Sequence, residues 1–138
     1  MYLLDTDTLS HLHAGRAQVQ DRLRDTEEQV AITIVTRVEL LRGRMDFLLK
    51  AATGEELLRA QKWMLKTEDL LAELVTIPFD ARAAAEFDHL QSSSKLRRIG
   101  RADLLTASIA LAHGAVLVTR NLRHFRQIPR LGAVNWVD

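Results

Sequence analysis

Short apolar runs alternate with longer segments whose apolar residues recur at helical spacing, and this rhythm predicts the elements. Met1–Leu4 is an apolar run that stops abruptly at Asp5-Thr6-Asp7-Thr8, which predicts a buried first strand with two acids at its carboxyl end. A short helix over Leu9–Ala14 follows, capped by Thr6, Asp7 or Thr8 and ended by Gly15. Arg16–Glu28 is charged, with Val19 and Leu23 four apart, and reads as a surface helix. The β-branched run Val30–Val35 predicts a second strand. Thr36 and Glu39 have capping-box spacing at the start of a helix whose apolar stripe is Val38, Leu41, Met45, Leu48 and Leu49. After a break at Gly54, Glu55–Leu74 carries Leu57, Leu58, Leu65 and Leu71 as a second amphipathic helix.

Val75–Ile77 is a short strand ended by Pro78, and Asp80 caps a helix to about Leu90. The polar, serine-rich and basic segment Gln91–Arg98 reads as a loop or a frayed helix end. Ile99–Phe125 organises the rest. Its helix is small and apolar on nearly every side, so protein must cover most of its faces. One acid, Asp103, stands at the start of that helix, and Gly114 stops it in the C′ position that glycine favours. Ala115–Val118 is a buried strand, Thr119-Arg120-Asn121 leaves it toward Phe125, and Arg130-Leu131-Gly132 turns into a last strand, Ala133–Val137. Strands that are apolar throughout and alternate with helices predict a three-layer α/β fold with a short, mostly parallel sheet flanked by helices.

Composition narrows the chemistry. The 138 residues read as a single domain over 1–138, and 47% hydrophobic with 27% charged residues is ordinary for a globular protein. The absence of cysteine excludes disulfides, thiolate metal sites and cysteine nucleophiles, and fits a reducing compartment. Asp5 and Asp7 stand where a signal peptide would need basic and apolar residues, and no apolar run reaches the length of a membrane span. A cytoplasmic protein is expected. The net charge of +1 names no partner, but between Ser94 and Arg130 eight Lys/Arg face one acid, Asp103, an asymmetry suited to a polyanion or to a solvated basic face.

In open parallel sheets, sites form at the carboxyl ends of the strands. Asp5 and Asp7 follow the first strand, Glu39 lies early in the helix after the second, and Thr119 and Asn121 follow a later strand. Asp103 would have to enter from a neighbouring loop. Taken singly, Asp5 reads equally as a helix cap, Glu39 as a capping-box acid and Asp103 as a complement to a helix dipole. Taken together, crowded carboxylates repel one another and protonate unless a cation sits between them. Oxygen ligands without cysteine point to Mg²⁺, for which Mn²⁺ substitutes.

The motifs LLDTDTLS, TRVELLRG, IGRADLLTASIALAHGAVLVTRNLRHF and the terminal NW resemble the PIN-domain family, and within it the VapC-type ribonuclease toxins of bacterial toxin–antitoxin pairs. The resemblance runs in order from Tyr2 to Trp136. It implies a Mg²⁺-dependent endoribonuclease, hydrolysing RNA phosphodiesters with a metal-activated water, working as a homodimer and held by a cognate antitoxin protein. The metal ligands it implies are Asp5, Glu39 and Asp103. Two positions depart from the family. Asp7 stands where Asn is common and joins the metal set, and His124 stands where a fourth acid is usual and is left out of it. Asn121 is the residue expected to cover that role, through its amide oxygen or a held water. Thr6 and Thr119 are candidates for orienting a water, and Arg42 and Arg101 for contacting phosphate.

Two other readings fit parts of this pattern. A PIN-like RNA- or protein-binding module with a decayed metal site would explain His124. The spacing Asp5-Thr6-Asp7 also resembles the start of haloacid dehalogenase-like phosphatases, but Leu9 stands where that motif wants Thr or Val.

Overall fold

The computed structural model describes residues 1–138. Five short strands form one sheet: β1 Tyr2–Leu4, β2 Val30–Thr33, β3 Val75–Ile77, β4 Val116–Val118 and β5 Gly132–Val134. Their order is β3-β2-β1-β4-β5 and every pairing is parallel, with Leu3 opposite both Ala31 and Leu117. The helices are α1 Thr6–His13, α2 Ala17–Asp25, α3 Ile34–Leu49, α4 Gly54–Glu73, α5 Ala81–Gln91, α6 Arg101–Ala112 and α7 Leu122–Phe125, with a single 3₁₀ turn at Ser94–Leu96.

Side chains on a strand alternate between faces, and the two faces here have separate cores. Leu3, Ala31 and Leu117 point to one side, where Ala83 and Leu90 of α5 and Ala107, Ile109 and Ala110 of α6 cover them. Leu4, Ile32 and Val118 point to the other, under Leu9 of α1, Leu40 of α3, Leu71 of α4 and Trp136. The expected three layers are therefore present, and the sheet is wholly parallel. Alanine and serine let α6 lie close against its surroundings, and Ser108 satisfies its buried hydroxyl by donating to the Leu104 carbonyl at 2.6 Å.

Several local expectations need correction. The first helix starts at Thr6 because Asp5 itself is the cap, its Oδ1 accepting from the Thr8 amide at 2.8 Å. Strand β2 ends at Thr33, whose hydroxyl caps α3 by accepting from the Thr36 amide at 3.2 Å. Ile34 and Val35 are thus helical, and Glu39 belongs to no capping box. Tertiary packing of a β-branched run has overridden its strand preference. The last strand is Gly132–Val134, since Asn135 turns the chain by accepting from the Val137 amide at 2.8 Å. Gly114 ends α6 region with φ +58°, as its position required. The stripe of α3 is only partly covered: Met45 is 46% and Leu49 82% exposed, as are Leu58 (69%) and Leu65 (55%) on α4. These two long helices run past the three- and four-residue strands, so their distal halves have no sheet to pack on.

The chain lays down β1, β2 and β3 outward in one direction, then returns to place β4 against the other side of β1. That reversal opens a crevice at the carboxyl ends of β1 and β4.

Candidate active site

The residue after β1 is Asp5 and the residues after β4 are Thr119 to Asn121, so the crevice begins with these groups. Its walls close into a cleft of about 280 Å³ lined by Asp5, Thr6, Asp7, Thr36, Glu39, Asp103, Thr106, Arg120, Asn121 and Phe125. All five residues predicted from sequence as catalytic or metal-binding (Asp5, Asp7, Glu39, Asp103 and Asn121) share this one cleft. Glu39 reaches it from the second turn of α3 and Asp103 from the first turn of α6, which brings the acid in beside β1 as the argument from strand ends required.

Neighbouring side chains and a helix cap hold the acids. Asp5 Oδ1 is held by the cap of α1, and Glu39 Oε1 accepts from the Thr6 hydroxyl at 2.6 Å. Asp103 Oδ2 lies 2.9 Å from His124 Nε2, and Asp7 Oδ2 lies 3.6 Å from His11 Nε2. The three hydrogen bonds restrain Asp5, Glu39 and Asp103 within the cleft they line, while Asp7 is exposed. Burial pushes the Asp5 carboxyl above its usual range, and the negative charge of Asp7 adds to the rise. The Thr119 hydroxyl and the Thr8 amide pull it back down without cancelling the effect. Thr119 is fully buried and accepts from the Asn121 amide at 3.0 Å, which shapes the turn that carries Asn121.

The donor set is oxygen-rich and negative, the chemistry of a hard divalent cation. No three His, Asp or Glu side chains are gathered closely enough to hold a metal ion as they stand. An open, carboxylate-lined cleft of this kind fits an ion that keeps several waters and takes further oxygen from a substrate.

One cation lines the same cleft. Arg120 donates to Asp138 from Nε at 3.2 Å and from Nη2 at 3.3 Å, and its Nη1 is 3.5 Å from His11 Nε2. Asn135 braces the same Asp138 Oδ2 at 3.0 Å, and these hydrogen bonds hold the Asp138 carboxyl below its usual range.

Sequence reasoning missed four contributors to the cleft: Thr36, Thr106, Arg120 and Phe125. Thr106 follows Asp103 by three, a spacing that shares a helix face and would have revealed it. Thr36 is not the cap its spacing to Glu39 predicts: its buried hydroxyl donates to the Leu4 carbonyl at 3.4 Å and ties α3 to the end of β1. Of the arginines expected near phosphate, neither Arg42 nor Arg101 lines this cleft. His124, left out of the ligand set, is the direct partner of Asp103.

A family model for the PIN domain matches residues 2–131. The chain belongs to the PIN-domain family. It is 32% identical to Ribonuclease VapC19 of Mycobacterium tuberculosis over 134 residues, covering 95% of this chain and 97% of that protein. It is 25% identical to Ribonuclease VapC2 of Haemophilus influenzae, covering 99% and 98% of the two chains. The fold superposes on a chain from the crystal structure of VapBC2 from Rickettsia felis bound to a DNA fragment from their promoter, with a TM-score of 0.81, 26% identity and 98% of each chain covered. Within the PIN-domain family the chain is therefore of the VapC type.

Proposed function

We propose that this PIN domain is a divalent-metal-dependent endoribonuclease, the toxin of a type II toxin–antitoxin pair. The observation that carries the reading is the meeting of Asp5, Asp7, Glu39 and Asp103 with Asn121 and Arg120 in one polar cleft at the β1/β4 switch point. Relatives named as ribonucleases over nearly the whole length of the chain support it.

Asp5, Glu39 and Asp103 are the residues that would hold Mg²⁺ or Mn²⁺, with Asp7 at the rim. The ion, when bound, supplies Lewis acidity that lowers the pKa of water and offsets charge on the phosphoryl oxygens. The chain's own groups do the rest. Thr6 and His124 hold one oxygen each of Glu39 and Asp103, which leaves the other oxygen of each acid free for the ion. The amide of Asn121 offers a donor and an acceptor at the mouth of the cleft for orienting water against the scissile phosphate. Arg120 faces the substrate phosphate across the acids, balancing an otherwise negative site. No side-chain nucleophile is required.

The partners in this reading are an RNA substrate, a cognate antitoxin protein and a second copy of the chain in a homodimer, working in the cytoplasm. The VapBC structures that share this fold support an antitoxin, and the uncovered apolar residues of α3 and α4 provide a surface for a partner helix. No helix is long and apolar enough to cross a membrane.

The test is cleavage of a total small-RNA pool by antitoxin-free protein with Mg²⁺ or Mn²⁺, then with EDTA, beside Asp5→Asn. Metal-dependent, sequence-limited fragments that the variant does not produce are expected. Equal cleavage by the variant, or cleavage that survives EDTA, rules the reading out.

A further inference from the structure

The first turn of α6 has a cavity on each side. Asp103 and Thr106 face the carboxylate cleft, while Arg101 and Leu104, about half a helical turn away, face a second cavity of about 290 Å³. Phe87 of α5, Leu96 of the 3₁₀ turn and Leu104 supply its apolar surface. Phe87 is half-buried, and an edge contact with Phe79, ring centroids 6.1 Å apart, fixes its ring. The Arg101 guanidinium lies 5.7 Å from the centroid of Phe87. Arg97 and Gln91 complete the rim.

Charge decides what this cavity suits. Neither Arg97 nor Arg101 has an acid within ion-pair distance, unlike Arg120 and Arg130. The lining of this largely apolar cavity therefore carries two cations, Arg97 and Arg101, that no acid pairs. A flat apolar wall, a guanidinium lying against an aromatic ring and cations at the rim are the components that hold a nucleotide in single-stranded RNA. The Gln91 amide adds donors and an acceptor for a base edge. An α-helix with its side chains is about 10 Å across, so the two cavities are separated by a span of a nucleotide or two.

We propose that the cavity between α5, the 3₁₀ turn and α6 is a nucleobase pocket that takes a base flanking the scissile phosphate and sets where this enzyme cuts. The proposal rests on the ribonuclease reading for its role in cleavage, but not for nucleotide binding itself. A base stacked there would fix the register of the strand over Asp103, because both sites share one turn of one helix.

Two measurements test it. Methyl NMR of the wild-type protein, titrated with each of the four ribonucleoside 5′-monophosphates without metal, should move the Leu90, Leu96, Ile99 and Leu104 resonances, and by different amounts for different bases. Cleavage-end sequencing of an RNA pool should show a base preference beside the cut that weakens in Arg101→Gln and in Ser93→Trp, which plugs the cavity. Rates at favoured sites should fall about tenfold, in the range of one lost stacked base. Methyls that ignore all four nucleotides, or an unchanged cleavage preference in a folded Arg101→Gln, overturn the proposal. Methyls that respond in a protein that cuts no RNA keep the nucleotide pocket and remove the ribonuclease reading. Sedimentation showing a dimer in which these methyls are shielded from nucleotides would give the cavity to a second copy and overturn it as well.

Discussion

His124 Nε2 stands 2.9 Å from Asp103 Oδ2, joining α7 to the first turn of α6 across the mouth of the cleft. An ionised carboxylate has no proton to give, so the imidazole is the donor. The contact restrains the Asp103 carboxylate, as partners of ligating groups do in metal sites generally. His124→Ala is expected to weaken Mn²⁺ binding roughly tenfold, the lower end of the usual cost of losing such a partner. His124→Gln, which keeps an amide donor at similar reach, should lose less. Isothermal titration with Mn²⁺ measures both, and equal affinity in all three proteins would show that the contact does not orient the ligand.

Asp5 has two roles that substitution can separate. As the cap of α1 it can be replaced by Asn at little cost, whereas Ala should cost about 1 kcal/mol. As a buried acid with a raised pKa, it binds a proton more readily folded than unfolded. Its charge therefore opposes folding increasingly as pH rises above the ordinary carboxylate value of 3.8. In metal-free buffer at neutral pH, Asp5→Asn should unfold at a higher temperature than wild type, and Asp5→Ala below Asp5→Asn. Added Mn²⁺ should stabilise wild type and leave Asp5→Asn nearly unmoved. Thermal melts with and without the ion decide it, and a metal-free Asp5→Asn that melts below wild type contradicts the electrostatic account.

Arg120 is the cation of the cleft, although Asp138 already occupies two of its donors. A substrate phosphate must share or replace that partner. Arg120→Gln in an Asp5→Asn background should weaken RNA binding uniformly across sequences. It should also reduce the slope of log affinity against log salt by about 0.7, the share of one phosphate contact on a single strand. A salt slope identical to that of the parent would mean that Arg120 serves the Asn135–Asp138 turn and not the RNA.

Asp5 and Asp7 were legible in sequence because they follow an apolar run that reads as a buried strand, Glu39 because it lies early in the helix after the second strand, and Asp103 because it opens a helix too apolar to be exposed. Asp5 after β1 and Asn121 after β4 needed only the rule that parallel sheets place their sites at strand ends. What sequence did not carry was strand order, and with it the fact that β1 and β4 are neighbours. Contacts between distant positions were equally hidden. His124 meets Asp103 across 21 residues and Thr6 meets Glu39 across 33, and no periodicity links such pairs. Thr33 and Thr36 show a local ambiguity, since either threonine can cap a helix. The packing of Ile34 and Val35 against the core beside Ala31 and Leu117 selected Thr33.

Acid sensitivity also has a source away from the cleft. His13 ends α1 and shares the buried Thr67 hydroxyl of α4 with Arg44 of α3: its Nε2 is 3.2 Å from that oxygen, and Arg44 Nε donates to it at 3.0 Å. The ring also meets the edge of Trp63, which Arg44 and Lys66 approach to 5.1 and 5.7 Å. Burial first, then the positive charges of Arg44 and Lys66, hold the His13 pKa below 6.5. Below that pH the unfolded chain takes up a proton that the folded chain resists, so stability should fall as pH drops through 6.5 toward the lowered value. His13→Gln, neutral at every pH and able to reach the same hydroxyl, should flatten that dependence. Urea unfolding at pH 7.5 and 5.5 compares the two proteins. An equal loss of stability in both would place the acid sensitivity elsewhere, because His13 is then not the group that joins α1 to the α3–α4 hairpin in a pH-dependent way.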